Sequence, residues 1–274
     1  MLKAVITSLT LSLLILATPG GAYTNGSGTS ASATLDNNLP AASLASLSFE
    51  EKKLAYEQHL QTIYEEAGLQ QAGMSFAVFE RAYTGYQNFR QQALATAEKP
   101  VMTVVDFTKP SNLNRLWIID LQSRKVLYNT LVAHGRNTGN VKAEKFSNEH
   151  NSNMSSMGFY ITDKTYYGKH GLSLKLAGMD EAYNSNAMDR AIVLHGADYV
   201  SEAFVKQYGR LGRSLGCPAV SREISGEVIE LIKDNTVLYI HSADKTYTSD
   251  YLDTAAAVEA FALENSLLEG TAGL

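Results

Sequence analysis

Ile192-Val193-Leu194-His195-Gly196 and, 18 residues further on, Ser214-Leu215-Gly216-Cys217-Pro218-Ala219-Val220 are the stretches on which the reading of this chain turns. The first is an apolar run ending in an imidazole. The second sets a cysteine beside a glycine and ahead of another short apolar run. Both read as ends of buried strands opening at one rim. A thiol attacks a carbonyl as the thiolate, and a neighbouring imidazole lowers its pKa and takes its proton, so Cys217 with His195 is the minimum for acyl transfer. Gly196 and Gly216 let the backbone come close to a substrate. With six histidines in the chain, spacing alone is weak support, and the surrounding sequence has to carry the assignment.

Upstream of these stretches the chain divides at Pro100. Ser48 with Glu51 has the form of a capping box opening a helix to about Gly68. A second helix is expected from about Ser75, where Phe76, Phe79, Tyr83, Tyr86 and Phe89 recur at spacings of three and four and point to core packing. After Pro100 the pattern is that of strands: Val101 to Phe107, Arg115 to Leu121, Lys125 to Ala133, Gly158 to Thr162, Leu172 to Ala177, Ala191 to His195 and Thr236 to His241. The second and third make a hairpin through Gln122-Ser123-Arg124. Helices are expected over Asp198 to Tyr208, Ser225 to Asp234 and, Ala-rich, beyond Asp253. The fold class is therefore α+β, mainly β: a twisted sandwich or barrel-like β domain with a helical N-terminal extension over residues 48–98 and a helical tail over 243–274. The alternation of a doubly wound sheet is missing.

Composition narrows the function. In 274 residues, 23 Lys and Arg stand against 28 Asp and Glu, a net charge of −5 without a basic block, so no nucleic-acid partner is expected. Lys3, the apolar run Ala4 to Ala17 and Gly20-Gly21-Ala22 read as a secretory signal peptide over residues 1–22, too short to span a bilayer as a helix. Residues 23–47, rich in Gly, Ser, Thr, Ala and Asn, read as a flexible linker. The expectation is an exported protein of the periplasm or cell envelope with no membrane span after cleavage. Exported proteins usually pair their cysteines, yet this chain has one, Cys217, which has no intramolecular partner. An unpaired thiol most often fills a core position, but the neighbours of Cys217 favour chemistry.

Those neighbours resemble the catalytic domain of the murein L,D-transpeptidases (YkuD-type), whose signature is a His, often His-Gly, followed by Ser/Thr-His-Gly-Cys. Ser214, Gly216 and Cys217 match by type, and the interval from His195 is one residue longer than usual. Ser155-Ser156-Met157-Gly158-Phe159-Tyr160 is similar to a Thr-Pro-x-Gly-x-Phe strand start of the family. The likeness covers residues 101–242. Ser-x-Gly-Cys-Pro-Ala-Val, the Asn-rich Phe146 to Asn153 and Tyr167-Gly168-Lys169-His170-Gly171 mark a divergent branch. Leu215 stands where the second motif has His, and Ala219 where a polar residue, often Arg, follows the cysteine; Arg213 and Arg210 are the nearby cations that would replace the lost charge.

The resemblance implies acyl transfer on peptidoglycan stem peptides, with no cofactor. Cys217 would attack the third residue of a tetrapeptide stem, and His195 would act as base and then acid, oriented by the carbonyl of Gly196, with Asp198 as the rival orienting group. The amides of Gly216 and Cys217 would stabilise the oxyanion. Ser214, Arg213, Tyr167 and His170 are further candidates for substrate binding, and Tyr166 and Asn148 for lining the cleft. A 3→3 cross-link, hydrolysis to a tripeptide, and attachment of a lipoprotein are alternative outcomes. His134, His59 and His241 read as structural. No metal site is expected, since His-Glu-x-x-His and Cys-x-x-Cys are missing. Papain-like and NlpC-type peptidases reverse the order of Cys and His, caspase-like enzymes have a wider gap, and sortases need a Thr-Cys and a later Arg. A non-catalytic peptidoglycan-binding protein is the rival of another class; it has no need of a free thiol.

Overall fold

The computed structural model describes residues 44–272, with side chains as far as residue 266. The expected signal peptide and residues 23–43 of the expected linker lie outside the described residues. Residues 44–272 belong to one compact unit.

Eight strands form one mixed sheet: β1 (Val101–Asp106), β2 (Leu116–Asp120), β3 (Lys125–Thr130), β4 (Gly158–Gly168), β5 (Gly171–Gly178), β6 (Val193–Ala197), β7 (Ala219–Ser221) and β8 (Val237–His241), in the order β3-β2-β1-β8-β4-β5-β6-β7. β1 pairs parallel to β8 and β6 parallel to β7; the other pairs are antiparallel. β1 is buried at every position, as its unbroken Val-Met-Thr-Val-Val run requires. The chain beyond β3 turns back to the far side of the sheet, where Ala133 bridges Ala219 and Gly135 bridges Ser214. Ala133 N–H donates to Ala219 O at 2.8 Å and Arg136 N–H to Ser214 O at 2.9 Å, so the two outer strands meet and the sheet is nearly closed into a barrel.

The expected hairpin of β2 and β3 is present, with Arg124 at φ 52° in its turn. β4 runs six residues beyond the expected strand, past a register shift between Thr162 and Thr165. β7 follows Cys217, where the sequence placed the end of a strand; its three residues give too little pattern to fix its bounds. Its neighbours make a local crossover, β6 to α4 (Glu202–Tyr208) to β7. α4 starts four residues later than expected because Ser201 is its N-cap, and α5 (Arg222–Ile232) starts three residues earlier, capped by Ser221.

Helices α1 (Phe49–Glu66), α2 (Phe76–Gln91) and α6 (Thr254–Ala272) share the main core with the sheet, and a short α3 (Glu181–Asn184) follows β5. The capping box of α1 is formed: Glu51 N–H donates to Ser48 Oγ and Ser48 N–H to the Glu51 carboxylate at 2.9 Å. On α2, Phe79, Tyr83, Tyr86 and Phe89 are buried and Phe76 is half-buried. Phe89 stacks on Tyr251 at 3.9 Å and meets Phe159 of β4 at 5.7 Å. Tyr56 of α1 meets Phe261 of α6 edge-on at 5.5 Å. α2 stops at Gln91, short of residue 98, and Ala93 takes φ 54°.

Candidate active site

The parallel pairing of β6 and β7 sets His195 opposite Ala219 and Gly196 opposite Val220. Running that register back two residues brings Cys217 beside Val193, whose N–H points at Sγ from 3.5 Å. Cys217 therefore leads into a strand and does not end one, which corrects the expectation for this segment. The loop in front of it is tied on several sides. Ser214 Oγ donates to Cys217 O at 2.6 Å and accepts from Gly216 N–H at 3.0 Å. Ser155 Oγ donates to Gly216 O at 3.0 Å, and Ser214 N–H donates to His134 O at 3.0 Å. Gly216 has φ +133°, and a Cβ there would lie 2.8 Å from Met154 O, so the turn accepts only glycine without strain.

His195 is buried, and its Nδ1 lies 3.0 Å from Gly196 O. A carbonyl only accepts, so Nδ1 carries the proton and Nε2 keeps its lone pair. Burial holds the imidazole below the usual histidine range, against the opposing effect of the Gly196 bond. Burial likewise pushes the half-buried Cys217 thiol up, opposed by Val193 N–H and by the charges of Arg190 and Lys169. Both shifts favour the uncharged forms, a thiol on Cys217 and a neutral imidazole on His195. Asp198 is exposed and held by Arg222, Nε to Oδ1 at 2.6 Å and Nη2 to Oδ2 at 3.1 Å. It is not bonded to the imidazole.

Cys217 and His195 line one cleft of about 610 Å³, together with Ser214, Arg213, His170 and Tyr166 from the sequence candidates. The ring of His170 lies flat on that of His195, with centroids 4.2 Å apart and planes at 21°. Arg213 gives Nη1 to the carbonyls of Arg136 and Gly139 at 3.3 and 3.1 Å and still faces the cleft, whereas Arg210 bonds Leu211 O at 2.7 Å. Tyr167 is 83% exposed and is not among the cleft's residues, while Tyr166 is. Alternation along β4 gives the two neighbours opposite faces, and the irregularity between Thr162 and Thr165 decides which one faces inward. The Gly216 amide is spent on Ser214 Oγ, so the expected pair of oxyanion amides is reduced to that of Cys217. Asn148 bonds Glu181 O and Ser185 Oγ away from the thiol.

Arg190, Tyr199 and Lys169 also line the cleft and were not among the candidates. Arg190 fastens the 147–156 segment: Nη1 donates to Ser147 O at 2.6 Å and to Ser156 Oγ, and Nη2 to Met154 O at 2.6 Å and Ser152 Oγ at 3.2 Å. A lone Arg in a turn gives no sequence signal of that. Among the other histidines, Arg115 Nη2 donates to Nδ1 of buried His134 at 2.8 Å, His59 bonds Tyr83 OH at 2.9 Å, and His241 bonds Tyr239 OH at 3.2 Å. Among the described residues no group of three or more His, Cys, Asp or Glu is placed to hold a metal, and no helix is long and apolar enough to cross a membrane.

A family model described as the L,D-transpeptidase catalytic domain matches residues 70–241. Similar solved structures include an L,D-transpeptidase from Mycobacterium smegmatis, at 11% identity and TM-score 0.33, covering 52% of this chain and 59% of that one. The helical cell shape determining protein Pgp2 from Campylobacter jejuni matches at 10% and 0.37, covering 64% and 62%. An L,D-transpeptidase from Stackebrandtia nassauensis matches at 14% and 0.31, covering 69% and 78%. The chain spans about three-fifths of the length of the first two. Among curated proteins there is no match.

Proposed function

The chain belongs to the L,D-transpeptidase catalytic domain family, and from that premise we propose that it is an exported cysteine acyltransferase acting on peptidoglycan stem peptides in the periplasm or cell envelope. Residues 101–242 carry the reaction, and the helices before and after them brace it. The observation that carries the reading is the convergence of Cys217, presented by the turn before β7, and of His195, its Nδ1 on Gly196 O, on one cleft.

In the proposed reaction His195 Nε2 takes the Cys217 proton as Sγ attacks the carbonyl of the third stem residue. The oxyanion takes a hydrogen bond from Cys217 N–H, with the hydroxyl of Tyr199 as the second donor in the same cleft. The C–N bond then breaks, His195 returns its proton to the leaving D-Ala amine, and a thioester remains on Sγ. The side-chain amine of a second stem attacks that thioester, loses a proton to His195 and restores the thiol, leaving a 3→3 cross-link. Water in place of the amine gives a tripeptide. Because the resting pair is neutral, the rate climbs as His195 loses its proton, below the usual histidine range, and stays level up to the raised thiol pKa.

Incubation with tetrapeptide-bearing muropeptides, read by mass spectrometry beside Cys217→Ala, tests the reading. Cys217-dependent 3→3 dimers support transpeptidation, and tripeptides alone support carboxypeptidase action. No product, together with a Cys217 that a carbapenem does not acylate, overturns the enzyme reading and favours a peptidoglycan-binding protein.

A further inference from the structure

His170 and Lys169 form the turn of the β4–β5 hairpin, closed by the pairing of Gly168 with Gly171. The same hairpin reaches the base a second time, because Ser173 of β5 is the register partner of His195. The imidazole of His195 makes one hydrogen bond, from Nδ1 to Gly196 O, so its plane is otherwise set by the groups packed around it. One of those groups is His170, whose ring lies flat on one face of the imidazole at 4.2 Å. Leu215, where the family signature carries a second histidine, brings no ring to the cleft.

Building on the acyl-transfer reading, we propose that His170 is a positioning residue for His195, its ring fixing the plane of the base and making the hairpin turn part of the catalytic arrangement. The surrounding charges fit this role. Lys169 on the hairpin and Arg222 on α5 are the charged groups that act on both rings; the carboxylate of Asp198 is held by Arg222, and Arg190 and Cys217 line the same cleft. Lys169, Arg222 and the neighbouring ring all disfavour protonation of His195, and burial of the two rings acts in the same direction. A proton on His170 therefore opposes a proton on His195 across the stacked contact.

The test compares wild type, His170→Ala and His170→Phe in the purified chain, with thermal unfolding as the check on folding. The rate of Cys217 acylation by a carbapenem is followed with carbapenem concentration, and the histidine rings are titrated by NMR. His170→Ala is expected to lower the maximal acylation rate by roughly ten- to a hundredfold with little change in half-saturation, as for a misplaced reacting group. His170→Phe, which keeps a flat ring, is expected to recover most of that rate while the titration of His195 moves upward, since the charge of His170 no longer opposes its proton. An unaltered rate and titration in His170→Ala overturn the inference, and so does a His170→Phe as slow as His170→Ala. Either result leaves the acyl-transfer reading standing if wild type forms Cys217-dependent products. A wild type that is neither acylated nor productive overturns that reading, and the NMR titration then still decides whether the two rings are coupled.

Discussion

Acid should loosen this protein through His134, and the size of the effect follows from its surroundings. The ring is fully buried, Nδ1 accepts from the buried guanidinium of Arg115 at 2.8 Å, and Arg115 spends its other donors on Val132 O and Lys109 O. Burial and the neighbouring cation hold the imidazole down at about 4, against an ordinary 6.5. The unfolded chain therefore takes up the proton first. Stability from the neutral ring is complete above pH 6.5 and is lost as pH falls from there toward 4. Between pH 7 and pH 5 the two pKa values give a loss of about 2 kcal/mol. His134→Asn keeps an acceptor for Arg115 but does not titrate. Urea unfolding at both pH values should show wild type losing about 2 kcal/mol more than His134→Asn over this interval. The other depressed histidines, His59 among them, act equally in both proteins and cancel. Equal losses in the two would refute the argument. Because His134 O accepts from Ser214 N–H, the same protonation should also speed exchange of the Ser214 amide.

Four substitutions test other joints of the structure. Gly216→Ala places a Cβ 2.8 Å from Met154 O at a positive φ, so steady-state assays should show kcat/KM down by about a hundredfold and thermal unfolding a loss of roughly 1–3 kcal/mol. Gly85→Ala in α2 would favour an isolated helix by about 1 kcal/mol, but its Cβ would run into the ring of Phe159 at Cζ, so chemical denaturation should show destabilisation. Ala219→Arg should cost about 3 kcal/mol or more by burying an unpaired charge, whereas Leu215→His, at a position 56% exposed, should leave the unfolding midpoint within about 0.5 kcal/mol of wild type.

What could be read from the sequence is what neighbouring residues determine among themselves. The capping box of Ser48 and Glu51, the stripe from Phe79 to Phe89 and the hairpin through Arg124 each depend on spacings of a few residues, and each is present. The meeting of Cys217 and His195 on one cleft was legible through the resemblance of the motif around them, His195-Gly196 followed by Ser214, Gly216 and Cys217, since spacing alone was weak support. The rest depends on distant contacts. β7 has three residues and exists because β6 and Ala133 flank it. Tyr166 and Tyr167 are indistinguishable until the irregularity in β4 is known. Arg190 acts through a segment about 40 residues earlier in the chain, and nothing in its own neighbourhood marks it.

The two departures from the family signature have different physical origins. Ala219 is fully buried, paired on one side with His195 and on the other with Ala133, and its methyl sits among Ala133, Ala197, Val200 and Leu211. Barrel closure passes through this residue, so a long charged side chain has no room two positions after Cys217. The cation near the thiol comes from the opposite wall, as Arg190, which also fixes Met154 against the Gly216 turn. Leu215 is under no such constraint, since its side chain lies open at the cleft. Its identity bears on what the cleft admits rather than on folding. The hydrogen bonds from residues 133–136 to residues 214–219 close the sheet and also hold the turn that presents Cys217. A change that frays the closing edge therefore loosens the turn that presents Cys217.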